Sequence, residues 1–352
     1  MRPSKIAVAA VAAATLTVLA GCSADTTTAE ADDTFSYALI TPGSAGDGGF
    51  IDSAVAGATL AESDVVEAES VAQQEGVIRS TVATQPDIIL APGLDPDSLL
   101  AVALENPDQL FGVPSDIFVS ELPDNVQAYA INVHESSFLG GYIAGSMTTT
   151  KQVGAVLGID NPGLNQFYFG YKQGVLAACP DCTVTPSYLN GEFGDPTVGQ
   201  EAALALYQAG NDIIYAVAGL SGQGVFSAAE QEGTFAIGVD SNQDADAPGT
   251  VIVSVMKRVD MTTYNLIKST LAGEFESGFV AASLADGVTG LSWGDGSTVF
   301  QDEGPADKAA LVAGLMEEVA ALEAQILAGE IAICDALNDP TSDACVALGV
   351  SS

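Results

Sequence analysis

Apolar and polar positions along this chain alternate between two rhythms. Short, nearly continuous apolar runs rich in β-branched residues predict strands at 36–41 (SYALIT), 64–70, 87–92, 109–114 and 126–132. A second series of such runs falls at 152–159, 183–189, 212–218, 234–240 and 250–256. Between them lie amphipathic or alanine-rich stretches with helical spacing, at 50–63, 94–106, 136–149, 165–178, 197–209 and 222–232. Helices at 258–272 and 305–328 finish the pattern. Strands that are apolar on both faces and separated by helices belong to parallel sheets covered on each side. The expected class is therefore α/β. The alternation runs twice with a break near 146–151, which predicts two doubly wound lobes, and about 320 residues exceed one comfortable core.

Ligands of such sheets sit beyond the carboxyl ends of the strands. The first of these ends is glycine-rich: TPGSAGDGGFIDSAVAGA, residues 41–58. A dinucleotide cradle needs G-x-G-x-x-G, and here Ile51 stands where the third glycine belongs after Gly46 and Gly48. Asp47 and Asp52 would also repel a pyrophosphate. The turn is thus expected to hold something other than a phosphate. Further strand ends with ligand-competent residues are Ser115-Asp116, Asp160, the 190–196 loop, Gly219, Asp240 and Lys257.

Charge narrows the ligand. The chain carries 46 acidic residues against 9 basic ones. Two of the basic residues, Arg2 and Lys5, precede the short apolar run IAVAAVAAATLTV, and Leu19-Ala20-Gly21-Cys22 follows it. A charged start, a short apolar stretch and small residues describe a secretory signal over 1–21. The Leu-Ala-Gly-Cys ending resembles a bacterial lipobox, with Cys22 as lipid attachment point and membrane anchor. The polar stretch 22–34 is expected to be a disordered tether. Seven basic residues remain beyond it, so no nucleic acid partner is expected. Of the other cysteines, Cys179 and Cys182 stand in CPDC, and Cys334 and Cys345 lie near the end. Local pairs outside the cytoplasm predict disulfides Cys179–Cys182 and Cys334–Cys345.

Catalytic sets are missing from the sequence. His134 is its one histidine, and GLSGQG around Ser221 lacks the second glycine of a nucleophile elbow. The stretch 240–246 imitates a calcium loop but has Ala245 for the turn glycine and Val251 for the closing glutamate. No enzyme, no metal and no cofactor is expected.

Several segments occur together in a recognisable order: GDGGFIDSAVAGA, ESSFLGGYIAG, KQVGAVLGID, FYFGYKQG, FGDPTVGQEAALAL, AGLSGQGVFSAAEQEGTFAIGVDSNQ and VSVMKRVD. Over roughly 35–295 the chain resembles the basic membrane protein family of ABC-transporter substrate-binding lipoproteins, which includes purine nucleoside receptors. The resemblance implies a type I periplasmic-binding-protein fold, two lobes joined by three crossings. It places lobe 1 at 35–147 plus 257–283, lobe 2 at 148–256 plus 284–338, and a tail at 339–352. It implies a monomer that hands a nucleoside to an ABC permease. By the same resemblance Phe50 stacks on the base, Asp240 and Lys257 hold the ribose hydroxyls, and Asp47 and Asp52 match polar positions of the turn. Phe167 and Phe193 are candidates for the opposite stacking face. The chain departs from the family at Ile51, where relatives carry an amide, and at Ser115-Asp116, where their aspartate appears one place earlier. With Asp47 or Asp52 left as acceptors for the base edge, a mild preference for guanosine or inosine over uridine is expected. A flavin vitamin or a sugar-like signal, bound for uptake or sensing, is the alternative ligand, and an extracytoplasmic enzyme is the third reading.

Overall fold

The computed structural model describes residues 35–58 and 63–350. The expected signal peptide, tether and Cys22 lie outside the described residues. Two six-stranded sheets carry the fold. The first is built from β1 (Tyr37–Thr41), β2 (Ser63–Glu67), β3 (Ile88–Leu90), β4 (Leu110–Val113), β5 (Val126–Ile131) and β11 (Gly278–Ala282), all paired in parallel in the order β2-β1-β3-β4-β5-β11. The second uses β6 (Gln152–Leu157), β7 (Thr183–Tyr188), β8 (Ile213–Val217), β9 (Phe235–Asp240), β10 (Val251–Lys257) and β12 (Thr289–Leu291) in the order β7-β6-β8-β9-β10-β12. Only β12 runs antiparallel. Both sheets thus reverse their strand order at their first strand, which opens a crevice beyond the strand ends.

Buried apolar strands explain the sheets. All five residues of β1, β8 and, with two more, all seven of β10 are buried. Helix starts are equally local. Asp95, Asn161 and Asp195 each accept a hydrogen bond from the first turn that follows, and each is followed by a proline. A capping acceptor before proline presets α3 (Pro96–Glu105), α5 (Pro162–Ala178) and α6 (Pro196–Gln208). The helix α1 (Phe50–Gly57) opens directly from the glycine turn.

One boundary differs from expectation. Helix α4 (His134–Met147), assigned above to the first lobe, packs on α5 and on β10 of the second sheet. Glycines explain it: a Cβ on Gly141 would run into the Tyr171 carbonyl, and one on Gly174 into the Phe138 carbonyl. Such contact of backbones ties α4 to α5, so the chain crosses between lobes at 132–133 rather than at 147. The other crossings follow β10 and β11. Both disulfides, Cys179–Cys182 and Cys334–Cys345, are present. The first closes the end of α5. The second holds the C-terminal segment, whose Leu348 carbonyl accepts from Lys172 of α5.

Candidate functional site

The C-terminal strand ends of the two sheets face each other across the crossings. Lys257, the last residue of β10, is buried and points its ammonium at Asp116 of the loop after β4, 2.7 Å away. The other Asp116 oxygen accepts from the Ile131 amide at 2.7 Å. Two rings flank the ammonium: Phe50 at the start of α1, with its centroid 5.8 Å from Nζ, and Phe167 of α5, at 5.7 Å. Both distances lie in the range of a cation–π contact. Phe50 rests against Gly93, whose backbone has φ of 64°. Phe167 is buried against Tyr215, 6.5 Å between centroids. One lobe thus supplies one ring and the other lobe the second.

Asp240 closes β9 beside this group. Its backbone is left-handed, with φ of 64°, an unusual state for a residue with a side chain. The residue is 8% exposed, and no protein group among the described residues donates a hydrogen bond to its carboxylate. Burial pushes its pKa up to about 7; Lys257 pulls it down, and Asp47 and Asp116 push it up. A buried carboxyl without donors lacks what normally compensates burial of a charge.

The glycine turn has the opposite character. Asp47 is buried and accepts from the amides of Gly49, Ile51 and Asp52 at 2.9–3.0 Å. Asp52 accepts from the amides of Gly46 and Gly48 at 2.7 and 2.8 Å. These carboxylates hold the loop and the N-terminus of α1, where the helix leaves its amides open. Their engagement corrects the expectation that they read a base edge, and the argued preference for guanosine or inosine loses its basis. The turn also reaches across the cleft. Ser241 donates to the Gly49 carbonyl at 3.1 Å and Gln243 to that of Gly48 at 3.1 Å.

Phe193 and Gly219 sit elsewhere on the same edge. The Phe193 ring, 40% exposed, lies on Gly158 past the end of β6, and its backbone lies over Gly219 past β8. That is the crevice of the second sheet, but among the described residues no ring–ring or cation–π contact joins Phe193 to Phe50, Phe167 or Lys257. Asp244, inside the calcium-like stretch, is turned inward to three serine hydroxyls, those of Ser254, Ser292 and Ser297, at 2.6–2.7 Å. Asp116 stood among the strand-end residues but was given no role at the site. Its signal was an acid one place beyond the expected one, together with a buried lysine that needed a partner.

Two lobes of parallel sheet, closed on a buried cluster between their strand ends, define a binding protein of the type I periplasmic fold. Residues 36–335 match the family of PnrA-like ABC transporter substrate-binding proteins, and the chain belongs to that family. Basic membrane protein B of Borreliella afzelii (strain PKo) is 32% identical over 203 residues, 56% of this chain and 59% of that protein. The match therefore spans little more than half of that relative's length. A crystal structure of an ABC transporter solute-binding protein from Aeropyrum pernix K1 superposes with a TM-score of 0.74 at 27% identity, over 88% of this chain and 95% of that one. A solute-binding protein from Conexibacter woesei DSM 14684 gives 0.64 at 26%, over 86% and 99%. Among the described residues no helix is long and apolar enough to cross a membrane.

Proposed function

We propose that this chain is an extracytoplasmic, lipid-anchored binding protein that captures a nucleoside between its lobes and delivers it to an ABC importer. The observation that carries the reading is that Lys257, held between Phe50 and Phe167, lies beside Asp240, whose buried carboxylate accepts no hydrogen bond among the described residues. A vicinal diol donates to a carboxylate and accepts from an ammonium, so a ribose suits that pair. Aromatic faces suit a base, each stacked base being worth about 1–3 kcal/mol. Asp116 orients the lysine and leaves it two further protons to donate. Asp47 and Asp116 both act on Asp240, where Lys257 is the one opposing cation, so a nucleoside is favoured over its phosphate ester.

Mass spectrometry of small molecules released from natively purified protein tests the reading, followed by calorimetry with the four ribonucleosides and their monophosphates. A nucleoside should be released, and monophosphates should bind weakly. Failure of all four ribonucleosides to bind would overturn it. Membrane fractionation of Cys22→Ser tests the anchor, with release of the protein as the expected result.

A further inference from the structure

A further cross-lobe contact stands beside the site, and no role has been given to it. The loop after β4 holds Phe118, which is 50% exposed. Phe118 is the centre of a tight three-residue turn, closed by the Val119 amide on the Ile117 carbonyl at 3.2 Å. Ile117 is buried in the first lobe and Asp116 is fixed to Ile131 and Lys257, so the turn presents the ring in one direction. That direction is the other lobe. The tip of the ring rests on Gly163 in the first turn of α5: a Cβ there would overlap Cζ and stand 2.9 and 3.0 Å from Cε2 and Cε1.

Gly163 and Phe167 are four residues apart and share a face of α5. The Phe118 seat is therefore one helical turn from the ring that faces Lys257. On the chain, Phe118 is two residues from the aspartate that holds that lysine. Its contact exists only while the lobes are closed, because turn and seat belong to different lobes. The seat also needs a glycine, since any side chain would fill it.

We propose that Phe118 is a latch, seated on Gly163 in the closed form, which sets how long the ligand is retained. The latch rests on the proposed cleft function but not on the ligand being a nucleoside. Opening must unseat the ring, so its loss acts on dissociation more than on association. Phe118→Ala removes the ring, and Gly163→Ala fills the seat while placing a better helix former in α5. Two measurements test this: stopped-flow dissociation of guanosine, and small-angle scattering of the ligand-free chain. Each single variant should release guanosine about tenfold faster with a smaller change in association rate. Each should also shift the ligand-free scattering toward a more extended form. The double variant should match Phe118→Ala alone. Wild-type dissociation and scattering in both single variants overturn the latch, as do additive effects in the double. If guanosine binds no form of the protein but the scattering shifts, the latch stands and the nucleoside reading falls.

Discussion

Two acidic regions meet in the cleft, and they use the same side chain in opposite ways. In the glycine turn, Asp47 and Asp52 accept five backbone amides between them. At the end of β9, Asp240 accepts none among the described residues. The first pair shapes a loop; the second carboxylate is buried without donors and has its pKa pushed up to about 7. An unpaired buried carboxylate costs stability, whereas amides at a helix N-terminus compensate one. The difference teaches that carboxylate chemistry in a cleft is decided by the local backbone. A turn that exposes amides consumes its acids. A strand that ends in a left-handed residue leaves its acid open to a ligand.

The sharpest way to break the comparison is to remove the open pair. Asp240→Ala and Lys257→Ala should each weaken guanosine by at least tenfold, charge-assisted hydrogen bonds being worth about 1.5–3 kcal/mol. The loss should be smaller for 2′,3′-dideoxyguanosine, which lacks the diol. Calorimetry on both ligands checks it. Equal losses for the two would take the ribose away from this pair. Lys257→Ala should also lower stability, because the part-buried Asp116 and the buried Asp240 then lose their cation.

pH separates the two kinds of aspartate next. The Asp240 carboxyl titrates near 7 in the folded protein against about 3.9 in an unfolded chain. Between those values the folded state binds more protons. Stability from this group is full below about pH 4 and is lost as pH rises through 7. Ligand hydroxyls need the ionised form, so affinity should rise over the same upper range. Asp240→Asn should flatten both profiles and stabilise the ligand-free protein at pH 8. Urea unfolding and calorimetry at pH 6 and pH 8 measure this. A wild-type stability with no fall between the two, or one that Asp240→Asn leaves unchanged, would count against the open carboxylate.

A third change addresses the consumed acids. Asp47→Ala strips three acceptor contacts from the start of α1 and should cost about 1–2 kcal/mol of stability. Any loss of affinity should follow from the displaced Phe50. The urea midpoint should fall and the slope should not. An unchanged midpoint with a large loss of affinity would place Asp47 on the ligand after all.

Much of this frame was legible because it is local. Eight of the strands β1 to β10 have buried apolar runs that stand out in the sequence, the edge strands β2 and β7 stand out by their β-branched residues although they are half-buried or exposed, and caps such as Asn161-Pro162 mark helix starts. Helix α2 (Val71–Val82) did not stand out, since it contains Gly76 and buries only Gln74, Ile78 and Thr81. Strand β12 has three residues, and β11 alternates half-buried with exposed residues before its buried last one. The lobe of α4 was misjudged because glycine contacts with α5, not its own pattern, decide it. At the site, Phe50, Phe167, Asp240 and Lys257 are brought together. The pairing of Lys257 with Asp116 joins residues 141 positions apart, and spacing carries no trace of it. The use of Asp47 and Asp52 by amides depends on the turn's backbone, which composition does not state.

The smallest effect should come from Phe193, and it sharpens where the cleft ends. Its ring covers Gly158 and its backbone lies over Gly219 at the crevice of the second sheet, a place where such sheets bind ligands. Yet Lys257 has Phe50 and Phe167 as its two rings, so a base stacked there is already bounded on both sides. A ring that is 40% exposed and rests on glycines can be trimmed without leaving a buried void. Phe193→Leu should therefore keep guanosine affinity within about twofold, under roughly 0.5 kcal/mol, and lower the urea midpoint only slightly. Calorimetry on this variant beside Phe50→Leu decides the matter. If Phe193→Leu loses as much affinity as Phe50→Leu, the base lies toward β6 and β8, and Phe193 takes the place here given to Phe167.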